Sequence, residues 1–118
     1  MESCKALSLS GGGAKGAYEV GALWQMTRSL NASELEYDVV SGISVGSINA
    51  AGLALFERGK EAEAMDYLKN LWETMGSEQV WKYWDGFEPY QALFKHSGIL
   101  DNSPLKATLD QVFGEKDF

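Results

Sequence analysis

The chain has 118 residues, 45% hydrophobic and 23% charged. That suffices for one domain with a buried core and excludes disordered, collagen-like and disulfide-scaffold classes. The formal net charge of −7 leaves no basic patch to neutralise phosphates, which excludes nucleic acid as a partner. Scattered single lysines also exclude simple electrostatic adsorption to an anionic membrane.

The lone cysteine, Cys4, can form no intrachain disulfide and fits a reducing compartment. "MESCKALSLSGGG" is too short in its apolar part for a secretory signal. "KALSLS", residues 5–10, predicts a first strand that stops at three glycines. Residues 14–30, "AKGAYEVGALWQMTRSL", predict a helix whose stripe is Tyr18, Ala22, Trp24, Met26 and Leu30. "NASELE" reads as a polar connection. "YDVVSGI", residues 37–43, is the second strand, β-branched and apolar enough for a parallel sheet. "SVGSINAAGLALFERG" predicts a helix of small and apolar residues stopped by Gly59. The nearly uncharged run over residues 39–56 contains glycines, serines and an asparagine, a poor membrane span and a good buried strand–turn–helix. Strand, helix, strand and helix in this order predict a βαβ crossover and the α/β class.

Beyond Gly59 the texture changes. "KEAEAMDYLKNLWETMG" predicts an amphipathic helix with Met65, Leu68, Trp72 and Met75 on one face, Gly76 as its stop and an acidic, solvated opposite face. "QVWKYWDGFEPYQALF" is aromatic and helical in pieces. Its Trp81, Tyr83, Trp84, Phe87, Tyr90 and Phe94, with Trp72, read either as a cap over the sheet or as an interfacial lip on a lipid surface, the cap being favoured. "NSPLKATLDQVFG" predicts a last helix with Ser103 as N-cap, Pro104 at the first helical position and Gly114 at its end. Two strands make no stable open sheet, so the expectation is that residues 1–118 form the N-terminal part of a single larger domain.

Two glycine motifs carry chemistry. "GISVG" places Ser44 between Gly42 and Gly46 in the G-x-S-x-G pattern, with a strand before it and a helix after, the context of a nucleophile elbow. A serine hydroxyl needs a base and a presenting geometry to attack a carbonyl, and the helix start adds a positive dipole end beside the developing oxyanion. "GGGAKG", Gly11, Gly12, Gly13, Ala14, Lys15 and Gly16, exposes backbone N–H groups between strand and helix. It reads either as an oxyanion hole or as a G-x-G-x-x-G dinucleotide fingerprint with Glu36, twenty residues after Gly16, as its acidic partner. Glu36, however, precedes the second strand, where that partner should end it.

"SGGGAKGAYEVGAL" followed by "YDVVSGISVGSINAAGLAL" resembles the N-terminal part of a patatin-like phospholipase, and "SGILDNSPLKATL" is similar to a later segment of many bacterial-type members. The resemblance covers most of the chain. It implies a three-layer αβα fold with a mainly parallel sheet and a serine acyl hydrolase acting on lipid esters or phospholipids through a Ser–Asp dyad, without metal or cofactor. It implies Ser44 as nucleophile, Gly11, Gly12 and Gly13 as oxyanion loop, and Gly16, Gly42 and Gly46 as motif support. Lys15 stands where many members have arginine. With no secretory signal or membrane span read in the sequence, the expected setting is the cytoplasm, peripheral at membranes.

The family's aspartate lies in a D-G-[GA] motif well downstream of the serine. Here the Asp-Gly pair is Asp85-Gly86, followed by Phe87 and in no strand context, which reads as a turn. The order Ser44, Asp85, His96 matches an α/β-hydrolase triad, but no strand precedes His96 to carry it to the serine. The expectation is that the catalytic aspartate lies outside these residues and that the 118-residue chain alone is inactive. The alternatives are a non-catalytic fragment or binding module that keeps the elbow, and a dinucleotide-binding βαβ unit.

Overall fold

Side chains alternate across a strand, and here one face of each strand meets the helices while the other is exposed. The computed structural model describes residues 4–83 and 100–114. The chain divides into two units, Met1–Thr74 and Met75–Phe118. In the first, β1 (Ala6–Leu9) and β2 (Val39–Gly42) pair in parallel, Ala6 opposite Val39 and Leu9 opposite Gly42. Leu7, Leu9 and Val40 face the helices, while Ala6, Ser8, Val39 and Ser41 are exposed. A short 3-10 turn (Gly13–Lys15) leads into α1 (Gly16–Ser29), followed by α2 (Ala32–Leu35). After β2 come α3 (Val45–Ala54) and α4 (Glu61–Thr74). The βαβ order and parallel register are those the patterning predicts, and the architecture is α/β. Among the described residues no helix is long and apolar enough to cross a membrane.

The core is Val20 of α1, Leu53 of α3, and Ala64, Met65 and Leu68 of α4, with Leu7, Val40 and Trp72 packed against it. Met65, Leu68 and Trp72 thus form the face predicted for α4, whereas Met75 lies beyond the helix end. The predicted stripe of α1 is corrected. Tyr18 is 81% exposed, and Met26 and Leu30 also face outward. The inward face is Gly16, Val20, Leu23, Trp24 and Thr27, a helical spacing of three and four residues. A glycine opens that stripe, because a Cβ on Gly16 would lie 2.6 Å from Val45 Cγ2 and 2.8 Å from Trp72 Cζ2. Close approach, not hydrophobicity, puts Gly16 inside.

Three further expectations are corrected. "NASELE" is not a plain connection. Asn31 and Glu34 form a capping box, which satisfies the first N–H groups of α2, and Leu35 is buried behind it. Helix α3 stops at Ala54, well before Gly59. Phe56 turns in against Tyr67, with ring centroids 5.7 Å apart, and Gly59, at φ +90°, supplies the reversal into α4. The acidic face of α4 is not wholly solvated. Glu61 is 7% exposed in the first helical turn and accepts the Tyr37 N–H at 3.4 Å, where the helix N-terminus favours a carboxylate.

In the second unit, a 3-10 turn (Ser77–Gln79) precedes an antiparallel bridge between Lys82 and Asp101, with both N–H···O distances 2.9 Å. Helix α5 (Ser103–Phe113) follows, and Thr108 Oγ1 donates to the Gln79 carbonyl at 2.8 Å. The N-cap is Asn102 rather than Ser103. The Asp101 carboxylate accepts the Ser103 N–H at 2.9 Å and so draws Ser103 into the first turn. That bond, then the neighbouring Lys82, holds the Asp101 carboxyl below its ordinary range. Trp81 and Tyr83 meet edge to face, centroids 5.6 Å apart. Asp85, His96 and the aromatic residues Trp84, Phe87, Tyr90 and Phe94 lie outside the described residues.

Leu68→Ala is expected to destabilise the first unit by about 2–5 kcal/mol in urea unfolding, and Tyr18→Ser by less than about 0.5 kcal/mol. Equal losses would contradict the inward face assigned to α1 and α4.

Burial, then the charge of Glu61, raises the Tyr37 phenol above its ordinary value. A raised folded-state pKa contributes stability that is whole below the unfolded value, near 10, and is lost as pH rises through the folded value. Tyr37→Phe should therefore lose less stability than the parent between about pH 9 and 11, measured by denaturant midpoint. An identical pH dependence in the two proteins would contradict the burial of the phenol.

Candidate active site

Parallel pairing brings the C-terminal ends of β1 and β2 side by side, and both motifs begin there. The Ile43 N–H donates to the Leu9 carbonyl at 3.1 Å, carrying the pairing to the residue before Ser44. Ser44 then takes φ 53° and ψ −127°, the one positive φ at a non-glycine among the described residues. A side chain there costs about 1–3 kcal/mol and persists only where the surroundings over-determine it. They do so here. The Gly46 N–H closes the turn on the Ile43 carbonyl at 2.9 Å, and the Ser47 N–H donates to the Ser44 carbonyl at 2.9 Å.

The flanking glycines are demanded by space. A Cβ on Gly42 would stand 2.1 Å from the Gly46 carbonyl oxygen and 2.6 Å from the Ser47 nitrogen. One on Gly46 would stand 2.5 Å from the Leu9 oxygen and 2.6 Å from that of Ser10. Backbone atoms cannot swing aside as a side chain can, so the first turn of α3 rests directly on the strand ends. Ser44 is thereby exposed at the tip of a strand-to-helix turn.

The glycine loop reaches this tip unevenly. A Cβ on Gly11 would meet Ser44 Cβ at 3.1 Å and the Ile43 oxygen at 3.4 Å. Gly11 is therefore the loop residue beside the serine. At Gly12 the nearest atoms belong to Lys15, whose N–H donates to the Gly12 carbonyl at 3.2 Å. Gly13, at φ +58°, has open space around it, so bulk there meets backbone strain and no collision. The three glycines are therefore not equivalent, and the tight position is Gly11. Lys15 is exposed beside them.

Four residues of the site escape motif reading. Glu19 Oε1 accepts both the N–H and the hydroxyl of Ser10, each at 2.8 Å. Asn49 is 1% exposed. Its Nδ2 donates to the Gly16 carbonyl at 3.1 Å and to Glu19 Oε2 at 3.2 Å, and its Oδ1 accepts Trp72 Nε1–H at 2.9 Å. The available signal was an asparagine inside the apolar "INAAGLAL", since a buried amide must find partners.

Glu36 lies at the opposite, N-terminal end of the strands. Four residues at about 3.3 Å each separate the two ends. Its carboxylate pairs with Arg58 Nε at 3.4 Å, and Arg58 also holds Asp38 at 2.9 Å. The cavity beside Tyr37, lined by Leu23, Leu53 and Met65 among others, measures about 10 Å³, room for one water and not for a ribose. The dinucleotide reading therefore has Glu36 paired with Arg58 at the far end of the strands rather than beside the glycine loop. Among the described residues no group of three or more His, Cys, Asp or Glu side chains is placed to hold a metal ion.

A family model described as patatin-like phospholipase matches residues 7–118. A curated relative, the cGAMP-activated phospholipase of Escherichia coli (strain TW11681), is 28% identical over 120 residues, covering 93% of this chain and 31% of that protein. The chain thus spans about a third of the length of the curated relative it matches. No solved structure matches.

If the Ser44 backbone is strained, Ser44→Gly is expected to exceed Ser44→Ala in stability by about 1 kcal/mol. Relief of about 1–3 kcal/mol is partly offset by the freedom of glycine in the unfolded chain, about 0.5–1 kcal/mol. Equal unfolding midpoints would show that the turn is not strained. Gly46→Val is expected to abolish the cooperative unfolding transition, because its side chain would enter the Leu9 and Ser10 carbonyls.

Proposed function

Because the chain belongs to the patatin-like phospholipase family, we propose that it carries the nucleophile and oxyanion loop of a lipid acyl hydrolase, with Ser44 as nucleophile. Ser44 Oγ attacks the ester carbonyl carbon while a base takes the hydroxyl proton. The carbonyl oxygen becomes an oxyanion, held by backbone N–H groups of the loop formed by Gly11, Gly12 and Gly13. Collapse breaks the ester bond, and the alcohol leaves with the proton returned from the base. Water, deprotonated by the same base, then releases the fatty acid and restores Ser44.

The observation that carries the reading is the positive φ of exposed Ser44 with Gly11 against its Cβ. Strain of this kind clusters where geometry serves chemistry. An apolar side chain at the turn suits a lipid: Ile43, the residue before Ser44, is 69% exposed. With a net charge of −7, contact with a membrane from the cytoplasm would be apolar and transient rather than electrostatic. The name of the E. coli relative supports a phospholipid among the candidate substrates. In this reading the base is the aspartate of a D-G-[GA] motif, which these 118 residues do not contain, Asp85-Gly86 being followed by Phe87.

In the protein as its gene encodes it, a fluorophosphonate probe is expected to add one phosphonyl group, located at Ser44 by mass spectrometry and lost in Ser44→Ala. The 118-residue chain alone is expected to hydrolyse a short-chain nitrophenyl ester no faster than its Ser44→Ala variant. Absence of labelling in the encoded protein would favour a non-catalytic module. Ser44-dependent turnover by the short chain would bring Asp85 and His96 back as candidates, to be separated by single substitutions.

A further inference from the structure

The glycine loop is the least self-supporting part of the site, since glycines restrict the backbone least, yet both of its ends are tied to one buried amide. We propose that Asn49 is a positioning residue for the acyl-transfer reaction, clamping the loop to the helix that presents Ser44. This inference rests on the hydrolase reading above.

Asn49 lies on α3, in the turn after the one that Ser44 opens, so a single rigid element carries both the serine and the clamp. An amide side chain offers two N–H donors and one acceptor oxygen. Here one N–H goes to the Gly16 carbonyl, at the end of the loop, and the other to Glu19 Oε2. Glu19 Oε1 in turn accepts the N–H and hydroxyl of Ser10, at the loop's beginning. The acceptor oxygen takes Trp72 Nε1–H of α4, which fixes the orientation of the amide with its NH₂ toward the loop. The loop is therefore pinned directly at Gly16 and, through the Glu19 carboxylate, at Ser10. Gly11, against Ser44 Cβ, lies between the two pins.

Amides that stabilise an oxyanion act only if they are held before charge develops. Releasing the clamp should impair the transition state more than substrate binding, lowering kcat while leaving KM nearly unchanged. Asn49→Asp keeps the size of the side chain and the Trp72 acceptor, but presents oxygen to the Gly16 carbonyl and to the Glu19 carboxylate. Glu19→Gln keeps its size and turns one N–H donor toward either the Ser10 donors or the Asn49 donor. Combining the two substitutions restores one link. The introduced amide can donate to the introduced carboxylate while its own oxygen accepts from Ser10; the Gly16 bond stays lost.

The test measures Ser44-dependent ester turnover in the encoded protein, together with amide hydrogen exchange of the peptide over residues 10–17. Each single variant is expected to lose about 10- to 100-fold in kcat with KM within about twofold. Each should also exchange faster over 10–17 while the α4 peptide keeps the parent rate. The double variant should recover part of the kcat lost in Asn49→Asp, a non-additivity that a merely local packing defect would not produce. If Asn49→Asp does not fold, Glu19→Gln alone carries the test. Parent-like kcat and exchange in a folded variant, or a rise in KM alone, overturns the inference. If the parent shows no Ser44-dependent turnover, the hydrolase reading falls and the positioning role of Asn49 in that reaction with it. The exchange rates would still report separately whether the clamp exists.

Discussion

The first turn of α3 rests on the backbone carbonyls of Leu9 and Ser10, an approach that only a missing side chain at Gly46 permits. The rest of the first unit follows from this contact. It sets the angle at which the helix leaves the sheet, forces Gly42 to face the Gly46 carbonyl without a Cβ, and leaves Ser44 a positive φ as the path that joins strand to helix. The strain at Ser44 is thus not an isolated defect. It is the local cost of packing a helix end onto two strand ends, offset by the parallel pairing of β1 with β2 and by the core of Val20, Leu53, Met65 and Leu68 beneath them.

A second constraint follows from burying polar groups among those apolar ones. A helix as apolar as α3 could be packed with hydrocarbon alone, yet Asn49 sits in it fully enclosed. Removing one partner of a buried hydrogen bond costs about 1–3 kcal/mol, so the Gly16 carbonyl, Glu19 and the Trp72 indole hold the amide as firmly as it holds them. Apolar packing alone tolerates small slips of one helix over another, whereas directional bonds across three helices do not. The network thereby converts a greasy contact between α1, α3 and α4 into a fixed one, next to a loop that has little rigidity of its own.

What the sequence made legible was what depends on local pattern. The β-branched run of β2, the glycines that end β1, the elbow around Ser44 and the face of Met65, Leu68 and Trp72 all report near neighbours in the chain. What stayed hidden depended on partners far away. The inward face of α1 includes Gly16, which scores as nothing on a hydrophobic scale and is inside because Val45 and Trp72 approach it. Glu61 looked like one more solvated acid until the Tyr37 N–H stood against it. The short helix α2 carried a capping pattern, Asn31 with Glu34, inside a stretch polar enough to pass for a loop. Of the site, the serine and its glycines could be read. Ser10, Glu19, Asn49 and Trp72 could not, because their meaning lies in bonds that span 9 to 33 residues of chain.

The two ends of the parallel pair also explain why one loop pattern admitted two readings and the fold favours one. At the N-terminal end, the Lys5 N–H donates to Asp38 at 2.8 Å, and Arg58 bridges Asp38 to Glu36. Those acids are occupied in closing the start of the sheet. At the C-terminal end, the strands stop at glycines and open into turns, leaving backbone N–H groups and a strained serine where ligands of open α/β sheets are bound. A dinucleotide site would need an acidic residue at that second end to meet a ribose. In a parallel pair the residue before a strand and the residue after it are separated by the whole strand, so Glu36 could reach the glycine loop only by unpairing β2. At the loop itself the Glu19 carboxylate is likewise engaged, by Ser10 and Asn49, which leaves Ser44, Lys15 and the loop backbone exposed at that end.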